Sequence, residues 1–386
     1  MHTIVIYGAP ALLAALIALI VALLRRRPLL PDYFALSGIP PPKPLPHFNV
    51  DTAKPRPYRP FRWAYFQHMS LKKMESDWWL ELESTYRTRI AQRQALYATH
   101  GPLILGALPG SEPACAELLQ MALQWLAARY PACFALDART LRFQNRILGT
   151  EADLRCVDGA DALRVLLAHV PEDFALTEED PKTGLYCMRA GVVCSAVGWN
   201  AAGKMGKPLH EIHAPVPHYK ERMQMSMDRF FKKMETDKPI QRGSWGLEVG
   251  EPLFLQESDP KYAERTRQDP DLSIDDIHLR VDWQTLRRLP RSRAIVFNFK
   301  ALFTPLAAFR HEPYIPHLVR RILREGDAQI MRYKGTEHVL HKVLPVLDEY
   351  AQEQEDKGWV PRGWKERTLD EDPFFPGWKK HMTYAY

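Results

Sequence analysis

The sequence is short of the features that announce common chemistries. It has five cysteines in 386 residues, Cys115, Cys133, Cys156, Cys187 and Cys194. They are odd in number and scattered, with no CxxC pair, which argues against a disulfide framework or a zinc ribbon and for reduced thiols packed as small hydrophobes. There is no P-loop, no GxGxxG after a strand, no HExxH and no GxSxG, so the common nucleotide-binding, zinc-protease and α/β-hydrolase readings lack support. No long Lys/Arg block with interleaved aromatics occurs, and a net charge of +6 is modest for this length. Nucleic acid is therefore not an expected partner. No internal repeat is visible. What is abundant is core-forming material. Hydrophobic residues make up 46%, with ten Trp and sixteen Phe, which excludes global disorder.

Taken in order, the chain falls into four parts. Thr3 to Leu24 is apolar and free of charge, and a hydrocarbon core needs about 20 helical residues. Arg25, Arg26 and Arg27 follow at once, with no charge before the apolar run and no small-residue cleavage site after it. Residues 1–27 are thus expected to be an uncleaved transmembrane anchor, with the remainder cytosolic and the endoplasmic reticulum as the default membrane. Residues 28–60 hold ten prolines, among them Pro40, Pro41, Pro42, Pro44 and Pro46. That density disfavours helix and sheet and predicts an extended spacer. Residues 61–357 form the globular domain, and 358–386 an aromatic- and Pro-rich surface tail.

Within the domain the periodicity changes along the chain. Helices are expected after Met69-Ser70-Leu71 (with Trp78, Leu80 and Leu82 on the apolar side), over Tyr86–Thr99 and over Ser111–Ala128. Strands are expected at Arg142–Leu148, Leu185–Val197, Trp245–Leu255, His278–Asp282 and Ala294–Phe299. Helical period returns at Tyr219–Glu235, Pro316–Arg324 and Glu337–Gln354. Helices, then a mixed sheet, then helices predict an α+β fold with one central antiparallel sheet.

The stretch Trp199 to Trp245 concentrates potential ligands. His210, His213 and His218 lie close together, and Ile212-His213-Ala214-Pro215-Val216-Pro217 fixes the backbone just after one imidazole. A neutral imidazole is a good axial ligand for iron, and His210 or His218 is the alternative to His213. Met223, Met227, Phe230, Phe231 and Met234 recur at helical spacing on one apolar face. Such a face serves core packing or, alternatively, a flat macrocycle. Arg242 and Asp282 each stand at the edge of an apolar strand, where a charge is costly unless paired. Together with Ser244 they could line a polar pocket.

These segments, Lys204-Met205-Gly206-Lys207, Ile212 to Pro217, Arg242-Gly243-Ser244-Trp245, and Leu279 to Leu286 followed by Leu289-Pro290-Arg291-Ser292, resemble the haem-dependent oxidative N-demethylase alpha-subunit family, which includes membrane-anchored fungal members called HRQ family proteins. The likeness spans roughly residues 60–354. It implies a PAS-like sheet with flanking helices, haem b on an axial histidine, and oxidative demethylation of a small secondary amine. Electrons would come from a separate reductase, for which this chain has no motifs. By this likeness His213 is the metal ligand. Met227, Phe231 and Trp245 border the cofactor, and Arg242, Ser244 and Asp282 are the catalytic positions. Ser244 stands where the family usually has Asn, Asp282 where it has Glu, and Trp283 where it has Arg, all three at expected pocket positions. The function implied is a membrane-anchored, monooxygenase-type oxidation of a small molecule in a biosynthetic pathway. The alternatives are a non-catalytic haem or small-molecule binding module and a cofactor-free structural domain.

Overall fold

The structure is a computed structural model that describes residues 30–155 and 157–382. Its organising element is a seven-stranded sheet in the order β1-β8-β9-β10-β6-β7-β2. The strands are β1 (Lys72–Lys73), β2 (Leu105–Ala107), β6 (Asp173–Glu179), β7 (Tyr186–Val192), β8 (Ile240–Val249), β9 (Ile277–Arg288) and β10 (Ile295–Pro305). Every neighbouring pair is antiparallel. A second small sheet holds β3 (Phe134–Asp137), β4 (Arg142–Asn145) and β5 (Thr150–Asp153).

Because side chains alternate along a strand, the register gives the large sheet two unlike faces. Trp245, Leu247, Leu279, Val281 and Trp283 point to one side. There they are buried with Ile315, Leu318 and Ile322 of the helix Ile315–Glu325 and with Val343 and Leu347 of the helix Leu340–Asp356. Farther along the same face Phe174, Leu176 and Val296 pack on the helices Glu112–Arg129 and Gly159–His169. The opposite face carries Arg242, Ser244, Asp282, Gln284, Phe297 and Phe299, since Arg242 pairs with Gln284, Ser244 with Asp282, and Phe299 with Gln284. The loop and helices of residues 199–234 cover that face.

Several expectations are corrected. The transmembrane helix expected over residues 3–24 lies outside the described residues. Among the described residues no helix is long and apolar enough to cross a membrane. The single-pass membrane architecture and the endoplasmic reticulum placement therefore give way to an α+β fold about one large antiparallel sheet. The Pro-rich segment is not a stand-off spacer. Tyr33, Ile39, Val50 and Tyr58 are buried, and Arg59 forms a buried bidentate pair with Glu312, Nε to Oε2 at 2.6 Å. Prolines forbid helix and sheet, but an extended strap still docks when aromatic and aliphatic residues are interleaved with them. The C-terminal segment is likewise anchored, with Leu369, Phe374 and Phe375 in the core behind β9.

The helix expected after Leu71 does not form. Leu80 and Leu82 are fully buried in an extended run at alternate positions, a strand-like spacing. The helix Tyr219–Glu235 is broken at Met223 into Tyr219–Arg222 and Gln224–Lys233. Of the cysteines, Cys115, Cys133, Cys187 and Cys194 are free and buried, as expected.

One buried ion pair ties the helices to the sheet. Arg93, on the helix Tyr86–His100, pairs with Asp173 at the start of β6, both wholly buried. Asp173 also accepts from the backbone N–H groups of Cys194 (2.9 Å) and Ser195 (2.6 Å). Removing one partner strands a charge in a dry interior, at a cost of about 3–5 kcal/mol. Asp173→Ala should lower the unfolding free energy by about that amount in urea denaturation. A loss under about 1 kcal/mol would show that this pair does not anchor the fold.

Candidate functional site

The site begins with a carbonyl. The short helix Leu209–Ile212 ends at His213. The ring Nδ1 of His213 lies 2.7 Å from the Leu209 carbonyl oxygen. A carbonyl only accepts, so Nδ1 carries the proton and Nε2 keeps its lone pair. The ring stacks on Tyr219, with centroids 4.9 Å apart and planes 9° from parallel. Lys204 Nζ donates to the Ile212 carbonyl at 3.0 Å and holds the loop from its other side. Burial pulls the His213 pKa down to about 4 from the usual 6.5, and the charges of Arg242 and Lys204 push the same way. The imidazole is therefore neutral at pH 7 and needs no deprotonation to bind a metal.

His210 and His218 are placed differently. Both line a cleft of about 530 Å³ on the outer side of the loop, with Pro215, Pro217 and Gln224. His218 Nε2 lies 3.3 Å from Asp327 Oδ2. His213 lies instead against Leu209 and the Tyr219 ring.

The sheet face that carries Arg242, Ser244 and Asp282 is partly accessible in its middle. Arg242, Ser244, Asp282, Gln284 and Phe297 are half-buried, although β9 and β10 are interior strands. Accessible surface at the centre of a covered sheet marks a recess beneath the cover. Asp282 faces Ser244 across the β8–β9 pair. Its carboxylate accepts from Arg280 Nε at 3.0 Å. Arg280 is itself fixed by the carbonyls of Pro252 (2.8 Å) and Ser195 (2.9 Å). Burial raises the Asp282 pKa against the lowering effect of Arg280. Arg242 Nε is buried with no hydrogen-bond partner, and burial lowers the pKa of this guanidinium.

The register therefore puts Arg242, Ser244 and Asp282 on one sheet face, and the charge of Arg242 reaches His213. It does not bring the other expected residues there. Trp245 is an odd-numbered neighbour of Ser244 and Arg242. Alternation turns it to the helix-backed face, against Phe61 at 5.1 Å. Trp283 goes the same way and stacks on Tyr58 at 3.6 Å, so its departure from the family pattern does not alter the recess. Met227 and Phe231 are spent on packing against Tyr186, Leu286 and Ile295, and both are 5% exposed. They close one end of the covered face without lining the opening.

Three residues were missed. Arg280 could have been found, since it lies two positions before Asp282 on the same face of β9. Tyr65 and Lys334 come from distant segments to pack on the Trp245 ring, and no local pattern marks them. Lys334 Nζ donates to the Trp245 carbonyl at 2.6 Å and sits over the Trp245 ring at 4.3 Å. Burial lowers its pKa to about 7.

A neutral imidazole with a free Nε2 is a group that would hold the metal of a cofactor. The chain matches the family described as haem-dependent oxidative N-demethylase, alpha subunit-like, over residues 70–344. It belongs to that family.

The depressed His213 pKa fixes a pH dependence. The unfolded chain takes a proton at His213 near pH 6.5, while the folded chain resists it until about pH 4. Stability from this group is thus complete above pH 6.5 and is lost as pH falls toward 4. In the haem-free protein, His213→Gln should flatten the fall of the urea midpoint between pH 6.5 and 4. An unchanged slope would mean that His213 is not held neutral by the fold.

Proposed function

We propose that this protein is a haem-dependent oxidoreductase that removes a methyl group oxidatively from a small amine. Haem b would be held by His213 Nε2, and electrons would come from a separate reductase. The observation that carries the reading is the fixed tautomer of His213, whose Nδ1–H is committed to the Leu209 carbonyl and whose Nε2 is free. The residues present fit such a group: a neutral imidazole ligand with a free Nε2, and half-buried polar groups on the covered sheet face.

When bound, haem supplies an iron centre that takes up dioxygen and electrons. The net change is balanced by one dioxygen, two electrons and two protons per methyl group, giving the demethylated amine, formaldehyde and water. The chain's own residues position and move charge. The Leu209 carbonyl strengthens the donor character of His213 and fixes its orientation. Arg280 aims the Asp282 carboxylate into the recess, and the raised pKa of Asp282 suits it to take and return a proton at Oδ. Arg242 supplies positive charge on the same face, and Ser244 a neutral hydroxyl opposite Asp282. Asp282 is one methylene shorter than the usual Glu, which leaves room for a substrate larger than the simplest secondary amine.

An absorption spectrum of the full chain expressed with added haem tests the ligand. A Soret band should appear in the wild type and be lost or shifted in His213→Ala, while His210→Ala and His218→Ala keep it. A wild-type spectrum without the band would sink the reading. With haem bound and a chemical reductant supplied, Asp282→Asn should lower formaldehyde release by about 10²-fold or more and leave the band in place. A haem-loaded protein that releases no product with any small methylated amine would instead be a binding module.

A further inference from the structure

The charges around the recess do not balance, and the imbalance has a sign. Each carboxylate near it already has a cation. Asp282 is paired with Arg280, Glu248 with Arg265, Asp173 with Arg93, and Asp372 with Arg62 and Lys72. Arg242 and Lys334 have no acid. Among the described residues Arg242 has neither an ion pair nor a hydrogen bond, and its Nε is closed to solvent. Lys334 is hydrogen-bonded only to the Trp245 carbonyl and otherwise rests over the Trp245 and Tyr65 rings, at 4.3 and 5.5 Å. Both belong to one electrostatic group. Arg242 and Asp282 act on the Lys334 amine with opposite sign, and Arg242 also acts on the phenols of Tyr65 and Tyr333.

A bare alkylammonium meets no spare carboxylate here, since Asp282 is spoken for by Arg280. An incoming carboxylate meets a guanidinium with open donors. Burying an unpaired guanidinium is costly unless an anion completes it, and the planar fork of Arg is shaped for a carboxylate.

We infer that the recess takes a substrate bearing a carboxylate next to its methylated nitrogen, of the N-methyl amino acid type, with the carboxylate on Arg242. The amine then lies toward Ser244 and Asp282, on the neighbouring positions of the same face. This rests on the demethylase reading for the methylated nitrogen; recognition of the carboxylate does not depend on it. The propionates of haem are the other source of the same chemistry, and the test separates the two.

The haem-loaded full chain is titrated with N-methylglycine and with dimethylamine, and binding is read from the Soret band. N-methylglycine should bind at least about tenfold tighter, the scale of one charge-assisted hydrogen-bonded pair. Arg242→Gln should erase that preference. Equal binding of the two amines by the wild type overturns the inference. So does an Arg242→Gln protein that loses its haem, because Arg242 would then hold a propionate. If the wild type shows no Soret band, the demethylase reading fails, and calorimetry on the haem-free chain decides the carboxylate question. N-methylglycine binding that disappears in Arg242→Gln keeps the inference, and no binding ends it. Arg242→Gln removes an unpaired buried charge, so its thermal midpoint should equal or exceed that of the wild type. Should that variant fail to fold, Arg242→Lys, which keeps the charge and loses the planar fork, carries the comparison and should show a reduced preference for N-methylglycine.

Discussion

The register between β8 and β9 is the constraint on which the rest depends. Ser244 stands opposite Asp282 and Arg242 opposite Gln284, while Trp245 and Val281 pair on the reverse side. A slip of one residue would exchange the two sets, turning charged groups into a helix-backed core and tryptophans into the recess. The register is held from both sides. Leu247, Leu279 and Val281 are buried against helices, and the β9–β10 ladder extends the pairing from Arg288 with Ile295 to His278 with Pro305. Gly243 is part of the same lock, because a Cβ there would meet Pro60 at 2.8 Å and the Trp283 ring at 3.0 Å.

From this sheet the site is assembled in layers. The Arg93–Asp173 pair fixes the backbone at Cys194 and Ser195. The Ser195 carbonyl holds Arg280, and Arg280 aims Asp282. A buried ion pair thus reaches the recess through a chain of directed hydrogen bonds. On the covering side the equivalent chain is shorter, from the Leu209 carbonyl to His213 and from Lys204 to the Ile212 carbonyl. The imidazole is positioned by local backbone and the carboxylate by tertiary structure, which explains why one was easier to recognise than the other.

Much of the fold was legible where period and length agreed. The helices at 112–129, 315–325 and 340–356 and the strands at 186–192 and 295–305 fall close to where spacing put them. The strand Asp173–Glu179 was not seen, because its acidic ends hide a run that is buried over five residues by tertiary pairing. At the site, His213, Arg242, Ser244 and Asp282 were visible through family likeness. Face assignment was not. Trp245 and Trp283 sit inside matching motifs, and only the two-residue alternation shows that they serve the core. Lys334 could not have been anticipated, because it reaches Trp245 from the C-terminus of the helix Ala328–Lys334, far along the chain from β8.

The docked strap has a practical consequence for where the folded unit starts. Tyr58 is stacked on Trp283 and buried, Arg59 is locked to Glu312, and Arg56 to Glu81 at 3.2 Å. These contacts span β9 and the segments on either side of it. A fragment cut at the last proline of the segment would leave Glu312 an unmatched carboxylate in the interior and bare one side of the Trp283 indole. A folding-competent piece of this protein therefore includes Arg56, Tyr58 and Arg59, and the prolines around them belong to the domain as its outer brace.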